Sequence, residues 1–144
     1  MIHERSVARR IALQGLYQLD VQGQTFLDEG LKGFIDQSSD DPRIRDISFF
    51  MAKSAWVYHP TTDEWIGRLA KEWPVYRMAV VDRNILRLAV WEMVNYSDTP
   101  PRVVLDEAIE MGKEFSTADS GNFINGILDA VFKEYLALRK APTV

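Results

Sequence analysis

The sequence predicts an all-α fold of about seven helices in two three-helix groups, and three observations carry that prediction. Apolar residues recur at three- and four-residue spacings along most of the chain, and no stretch alternates with the period of two that a half-buried strand needs. Ser, Thr, Asp, Gly and Pro punctuate these runs at helix-length intervals. The stretch Asp82 to Tyr96, DRNILRLAVWEMVNY, is apolar nearly all round a 3.6-residue helix, so it should be a central helix that the others surround. With 144 residues, a single domain over 1–144 is expected, large enough to bury about 70% of the surface of the unfolded chain.

The first helix should start with Ser6 as its cap and run to about Val21, with Gly23 as the stop; Ala8, Ile11, Ala12, Gly15, Leu16 and Leu19 face the core. Thr25 and Asp28 read as a capping box for a short helix through Asp36, with Leu27, Leu31, Phe34 and Ile35 inside. After the turn Gln37 to Asp41, Asp41 and Pro42 read as N-cap and N1 of a third helix reaching Tyr58. Pro60 should end it, and Thr61 with Glu64 should cap a fourth helix carrying Trp65, Ile66 and Leu69.

The central helix should begin near Val80 or Val81, and the break from Ser97 to Pro101 follows from two consecutive prolines. The next helix covers about Arg102 to Phe115, with Val104, Leu105, Ala108, Ile109, Gly112 and Phe115 as its buried stripe. Ser116 or Thr117 should cap the last, whose apolar stripe is Phe123, Ile124, Ile127, Leu128, Val131, Tyr135 and Leu138. The tail Ala141 to Val144 should be loose.

Composition removes several kinds of chemistry. There are no cysteines, which excludes thiolate catalysis, iron–sulfur clusters and zinc ribbons, and suits a reducing cytoplasm. MIHERSVARR lacks the apolar run of a signal peptide and no segment approaches ~20 apolar residues, so a cytoplasmic protein outside the membrane is expected. The two histidines, His3 and His59, have no spaced companion ligand, and no phosphate-loop or dinucleotide motif occurs. No catalytic residue, metal or cofactor is expected. The net charge of -4 means that any nucleic-acid binding must come from a local basic patch.

Arg5 and Arg9 are four apart, Arg10 is adjacent, and Arg10, Gln14, Tyr17 and Gln18 continue a neighbouring stripe. Spacing allows two readings, an ordinary solvated face or an edge that grips phosphate. ADSGNFINGILD, Ala118 to Asp129, opens a helix whose free amides suit phosphate, and Phe123 there either packs in the core or stacks a base. Asp106, Glu107, Glu110 and Glu114 form an acidic face, better read as solvated than as an acid–base site. Arg87, between Leu86 and Leu88, needs a partner, and Glu107 is the expected one. Trp56 and Trp65 are expected to be exposed, which leaves a plain dimerising helical protein as an alternative.

The blocks RRIALQGLYQLD, VDRNILRLAVWEM, TPPRVVLDEAIEMGKEF and ADSGNFINGILD, in this order, resemble the NusB family of bacterial antitermination factors. The resemblance implies a cofactor-free, non-enzymatic RNA-binding adaptor with a NusB-like arrangement of helices. With NusE, a small-subunit ribosomal protein, it would bind a boxA-like single-stranded RNA element, join NusA, NusG and RNA polymerase, and support transcription antitermination of ribosomal RNA. It places the family's arginine motif on Arg5 and Arg9, and its Gln-x-Leu-Tyr on Gln14, Leu16 and Tyr17. It places RNA contacts on Asp119, Ser120 and Phe123 and a NusE contact on Asp82. Arg10 and Asn122 complete the expected RNA surface.

The sequence also departs from the family. Ser6 and Val7 stand where relatives carry further arginines, Arg10 where an acid is frequent, and Gly121-Asn122 where a basic pair is usual. Weaker or partner-dependent RNA binding is therefore expected, since the salt slope on single strands falls by ~0.7 for each phosphate that no longer meets a cation. Some relatives dimerise, so a homodimer is a further expectation. The same fold also forms a domain of some rRNA cytosine methyltransferases, a rival that a chain ending at Val144 disfavours.

Overall fold

The computed structural model describes residues 2–96 and 98–140, and their side chains except those of residues 2, 139 and 140. Among them the apolar spacings become seven α-helices: α1 (Ile2–Gln22), α2 (Gln24–Glu29), α3 (Leu31–Ser38), α4 (Pro42–Leu69), α5 (Val80–Asn95), α6 (Pro101–Phe115) and α7 (Ser120–Lys140). A 3₁₀ turn at Val75–Arg77 leads into α5. The expected loose tail and Ser97 lie outside the described residues.

The number of helices agrees with the sequence reading, but several of the boundaries do not: α1 begins at Ile2, with Ser6 inside it rather than capping it, and α7 begins at Ser120 rather than directly after Ser116 or Thr117. The helix expected from Thr25 to Asp36 is two helices parted at Gly30. Its entry is not a capping box: Gly23, with φ of 82°, turns the chain out of α1 while its N–H bonds the Leu19 carbonyl at 2.7 Å. In the opposite sense, the helices expected on either side of Pro60 are one continuous α4.

Proline at position 60 removes the N–H that would bond the carbonyl of Trp56. His59 supplies a substitute, since its Nδ1 donates to that same carbonyl and its ring lies 4.1 Å from the Trp56 ring. The start of α4 is as expected, with Asp41 Oδ1 accepting from Arg43 N at 2.9 Å.

Helix α5 lies at the centre: Ile85 through Met93 are all buried. On one side α1, α3 and α4 pack together; on the other are α6 and α7, and both α1 and α4 lie against α5. Helix α1 runs antiparallel to α5, because Arg9 meets Glu92 near one end and Asp20 meets Arg83 near the other. Helices α6 and α7 approach closely at Gly112, where an added Cβ would sit 2.8 Å from Ile124 Cδ1.

Two expectations about buried groups change. Arg87 does not meet Glu107. It holds Asp63 through two hydrogen bonds of 2.8 and 2.7 Å and Asp20 at 2.9 Å, so its charge is neutralised from α4 and α1 rather than from α6. Asp20 also takes Arg83 at 2.7 and 2.8 Å and Asn84 at 2.9 Å. Burial works against the Asp20 carboxylate, but the hydrogen bonds from Arg83 and Asn84 and the charge of Arg87 hold its pKa below the ordinary value. Trp65 is buried, not exposed, and Trp56 is half-buried under the Arg87 guanidinium, 5.8 Å from its ring centre. The two tryptophans expected to serve self-association are thus largely spent on the interior.

Candidate nucleic-acid interface

Helix α1 carries the expected arginine motif, and the three arginines have different environments. Arg9 is 2% exposed, which overturns its place on a solvent-facing stripe. Its position falls on the core side of α1 beside Leu16, so the guanidinium enters the interior and must be paired there. Nε and Nη2 donate to the two oxygens of Glu92 at 2.8 and 2.6 Å, and Nη1 donates to Glu107 at 3.1 Å. Burial alone would lower the Arg9 pKa; Glu92 and then Glu107 more than offset it, and the group is held above its ordinary value.

Arg10 is half-buried at the edge of the same network. It makes two hydrogen bonds to Glu114 at 2.9 and 3.0 Å and reaches Ser6 Oγ at 2.7 Å and Glu107 at 3.3 Å. The hydrogen bond from Arg10 to Glu114 is the main reason its pKa is raised. Glu107 in turn lies below its ordinary pKa, because the Ser6 hydroxyl and the Arg10 charge outweigh its burial. The acidic face of α6 therefore divides: Glu107 and Glu114 fasten α6 to α1, while Asp106 and Glu110 make exposed pairs with Arg102 and Lys113.

Gln14 and Tyr17 are exposed, Tyr17 by 40%. They line a groove of about 330 Å³ with Leu13, Val81 and Phe115, which brings the middle of α1 beside the start of α5 and the end of α6. Just past Phe115 comes the tip of α7. There Ser120 is buried, donating to Asp82 Oδ2 at 3.2 Å and sharing a hydrogen bond with Ser116 at 2.8 Å. Asp119 and Asn122 are exposed, and Phe123 is half-buried against the core. Asp82 is itself 9% exposed, and its Oδ1 accepts no hydrogen bond among the described residues.

The expected surface is therefore split. Arg10, Gln14, Tyr17, Asp82, Ser120 and the α7 tip gather on one side. Arg5 is elsewhere, lying against Tyr96 beyond the other end of α5, with its guanidinium 5.2 Å from the ring centre. Arg5 and Tyr17 are about 18 Å apart along α1 at ~1.5 Å per residue, and Arg5 is roughly 140° round the helix from Arg10. Sequence reasoning also missed Lys113, which runs beside Gly121, where an added Cβ would lie 3.8 Å from its side chain. A cation thus stands next to the position where the basic pair is lacking. Nothing local in the sequence links Lys113 to α7; the Gly112 crossing does.

No group of residues that could hold a metal ion occurs among the described residues. No described helix is long and apolar enough to cross a membrane.

The model of the NusB family matches residues 6–133, from just after Arg5 through most of α7. The chain belongs to the NusB family. It is 41% identical to the transcription antitermination protein NusB of Desulforapulum autotrophicum over 130 residues, 89% of this chain and 90% of the relative. The NusB of Symbiobacterium thermophilum is 40% identical over 136 residues, 90% of this chain and 89% of the relative. Among solved structures, T. maritima NusB superposes with a TM-score of 0.79 at 33% identity, covering 90% of this chain and 91% of that one. A chain in the crystal structure of antitermination factors NusB and NusE with dsRNA gives 0.82 at 26% identity, covering 94% and 100%. These relatives bear the name of an antitermination protein, and the family is not one of enzymes.

Proposed function

We propose that this protein is a non-enzymatic RNA-binding adaptor of transcription antitermination, holding a boxA-like RNA element jointly with NusE in the cytoplasm and through it serving NusA, NusG and RNA polymerase. Membership of the family and the related NusB–NusE complex with dsRNA support this reading. The observation that carries it is the groove in which exposed Gln14 and Tyr17 meet Val81 and Phe115, Val81 being next to the Asp82 that Ser120 of α7 bonds. One aromatic, one amide and the free amides of a helix start are what base stacking and phosphate binding use.

Arg9 and Arg10 act here mainly by fixing α1 against α5 and α6, which presents Gln14 and Tyr17 in register with that tip. Lys113 supplies the nearby charge. Asp82 is buried and takes the Ser120 hydroxyl, which ties the α7 tip to α5; NusE pairs its second, unsatisfied oxygen only where that tip shifts to open it. Two modest surfaces, one on each protein, then hold one RNA more firmly than either alone.

The test is a titration of boxA-like and scrambled strands, each single-stranded and as a duplex, with and without NusE and across a salt series. The expected result is a boxA preference on single strands that strengthens with NusE. Equal affinity for boxA-like and scrambled RNA, with only a salt slope, would leave nonspecific electrostatics and end this reading. A preference for the duplex would replace single-strand reading by shape reading. The relatives' names favour the adaptor over a methyltransferase domain.

A further inference from the structure

At the Arg5 end of α1 the surface differs from the face just described. Among the described residues Arg5, Arg45 and Lys53 form no ion pair, whereas Arg9, Arg10, Arg83 and Arg87 all do. Each of the three is set against a ring or a carbonyl instead. Arg5 lies over Tyr96, Lys53 is 5.9 Å from the centre of the Phe49 ring, and Arg45 donates to the Ser39 carbonyl at 3.0 Å.

Beside them is a notch of about 240 Å³ walled by Phe50, Trp91 and Tyr96. Phe50 is 51% exposed, meets Trp91 edge-on at 5.5 Å, and lies 6.4 Å from Tyr96. On the far side of Phe50 a second groove carries Phe49, Arg45 and Lys53. The notch is smaller than the roughly 300–1,000 Å³ of sites for drug-sized ligands, so it suits one flat ring rather than a cofactor.

We propose that this notch is a second RNA-binding point: it takes one unpaired nucleobase, stacked among Phe50, Tyr96 and the Arg5 guanidinium, while Arg45 and Lys53 hold the neighbouring phosphates. The proposal rests on the RNA-binding reading above and extends it to a strand that runs from the α7 tip along α1 to its N-terminal end, a path of at least about 18 Å. Aromatic and guanidinium faces stack any base, which gives affinity without demanding a sequence. Cations without a carboxylate partner are the ones free to exchange counterions for phosphate. Three carboxylates line the two grooves: Glu92 is buried and held by Arg9, Asp36 is paired with Lys32, and Asp46 is left to oppose the binding. Asp46 is exposed and borders both grooves, so its charge repels a phosphate there.

The experiment compares wild type, Phe50→Ala, Arg45→Ala/Lys53→Ala, Asp46→Asn and Tyr17→Ala in the full chain with NusE. The probes are a boxA-like RNA long enough to span both ends of α1 and a short one confined to the α7 tip. Phe50→Ala is expected to weaken the long RNA roughly five- to hundredfold and leave the short RNA unchanged. The double variant is expected to lower the salt slope on the long RNA by ~0.7 for each phosphate set free, and Asp46→Asn to tighten it several-fold. Long-RNA affinity untouched by Phe50→Ala, while Tyr17→Ala weakens it, would overturn the notch and leave the RNA-binding reading standing. Loss of NusE rather than of RNA in Phe50→Ala would make the notch a protein-binding point and likewise overturn it. No RNA binding by wild type would remove both.

Discussion

Arg5 and Arg9 occupy successive turns of one helix, yet one lies against the half-buried Tyr96 and the other is inside the protein. Arg9 is fully committed, with three hydrogen bonds to Glu92 and Glu107. Arg5 has a ring for company, and it donates to the Tyr96 hydroxyl at 3.5 Å. The difference comes from what the neighbouring helices present: two carboxylates face position 9, and aromatic side chains face position 5. The two arginines are thus two devices in this protein. One is a structural bolt, and only the other is open to a ligand.

The contrast can be broken most directly through stability. Arg9→Ala or Glu92→Ala leaves a buried charge without its partner, and either should cost about 3–5 kcal/mol in urea unfolding. Arg5→Ala should cost under about 1 kcal/mol, because its site is partly solvated. Equal losses at the two positions would end the distinction. Replacing the pair together, as Arg9→Met with Glu92→Leu, should recover much of the loss, since no lone charge remains.

A second contrast sets Tyr17 against Arg9. Tyr17→Ala should weaken RNA binding by about 1–3 kcal/mol and leave thermal stability near that of wild type, as measured by RNA titration and melting side by side.

The third is a pH profile. Asp20 and Glu107 have pKa values below their ordinary range in the folded state, so each adds stability above its unfolded pKa of about 4 and loses it as pH falls through the lower folded value. Stability should be flat from about pH 7 to 5 and decline below about pH 4. Asp20→Asn should lower the plateau and flatten that acid limb. An acid limb identical to wild type would mean that the Asp20 network contributes nothing to it.

The smallest expected effect is at Arg10. It is half-buried and already neutralised by Glu114 and Glu107, so Arg10→Ala should change either RNA affinity or stability by no more than about 1 kcal/mol. A loss of RNA binding beyond that would return Arg10 to the front rank of phosphate-binding residues.

How legible each feature was in the sequence follows from how local its cause is. The apolar faces of α1, α5, α6 and α7 depend on spacing within one helix, and the residues read as buried in α1 and α5 are buried. Pro60 misled because α4 is packed into the core on both sides of it, and the Trp56 carbonyl that the proline leaves unpaired is met by the His59 side chain. The arginine partners were hidden for another reason. Glu92 is 83 residues from Arg9, and Asp63 and Asp20 are 24 and 67 from Arg87; which acid meets which base is decided by helix packing, not by spacing. The order Arg5, Arg9, Arg10, Gln14, Tyr17 put all five on one helix, α1, as the structure has them. It could not show that the core claims the second of these residues and that the first faces another end of the molecule.

The most direct test is to titrate one boxA-like RNA, in the presence of NusE, against wild type, Tyr17→Ala and Arg9→Lys at a temperature where circular dichroism shows all three folded. The expected result is a weaker complex for Tyr17→Ala and wild-type affinity for Arg9→Lys, with the melting temperature lowered only in the latter. The reverse pattern, with RNA lost at Arg9 and unchanged at Tyr17, would contradict the division of α1 into a buried bolt and an exposed reading face.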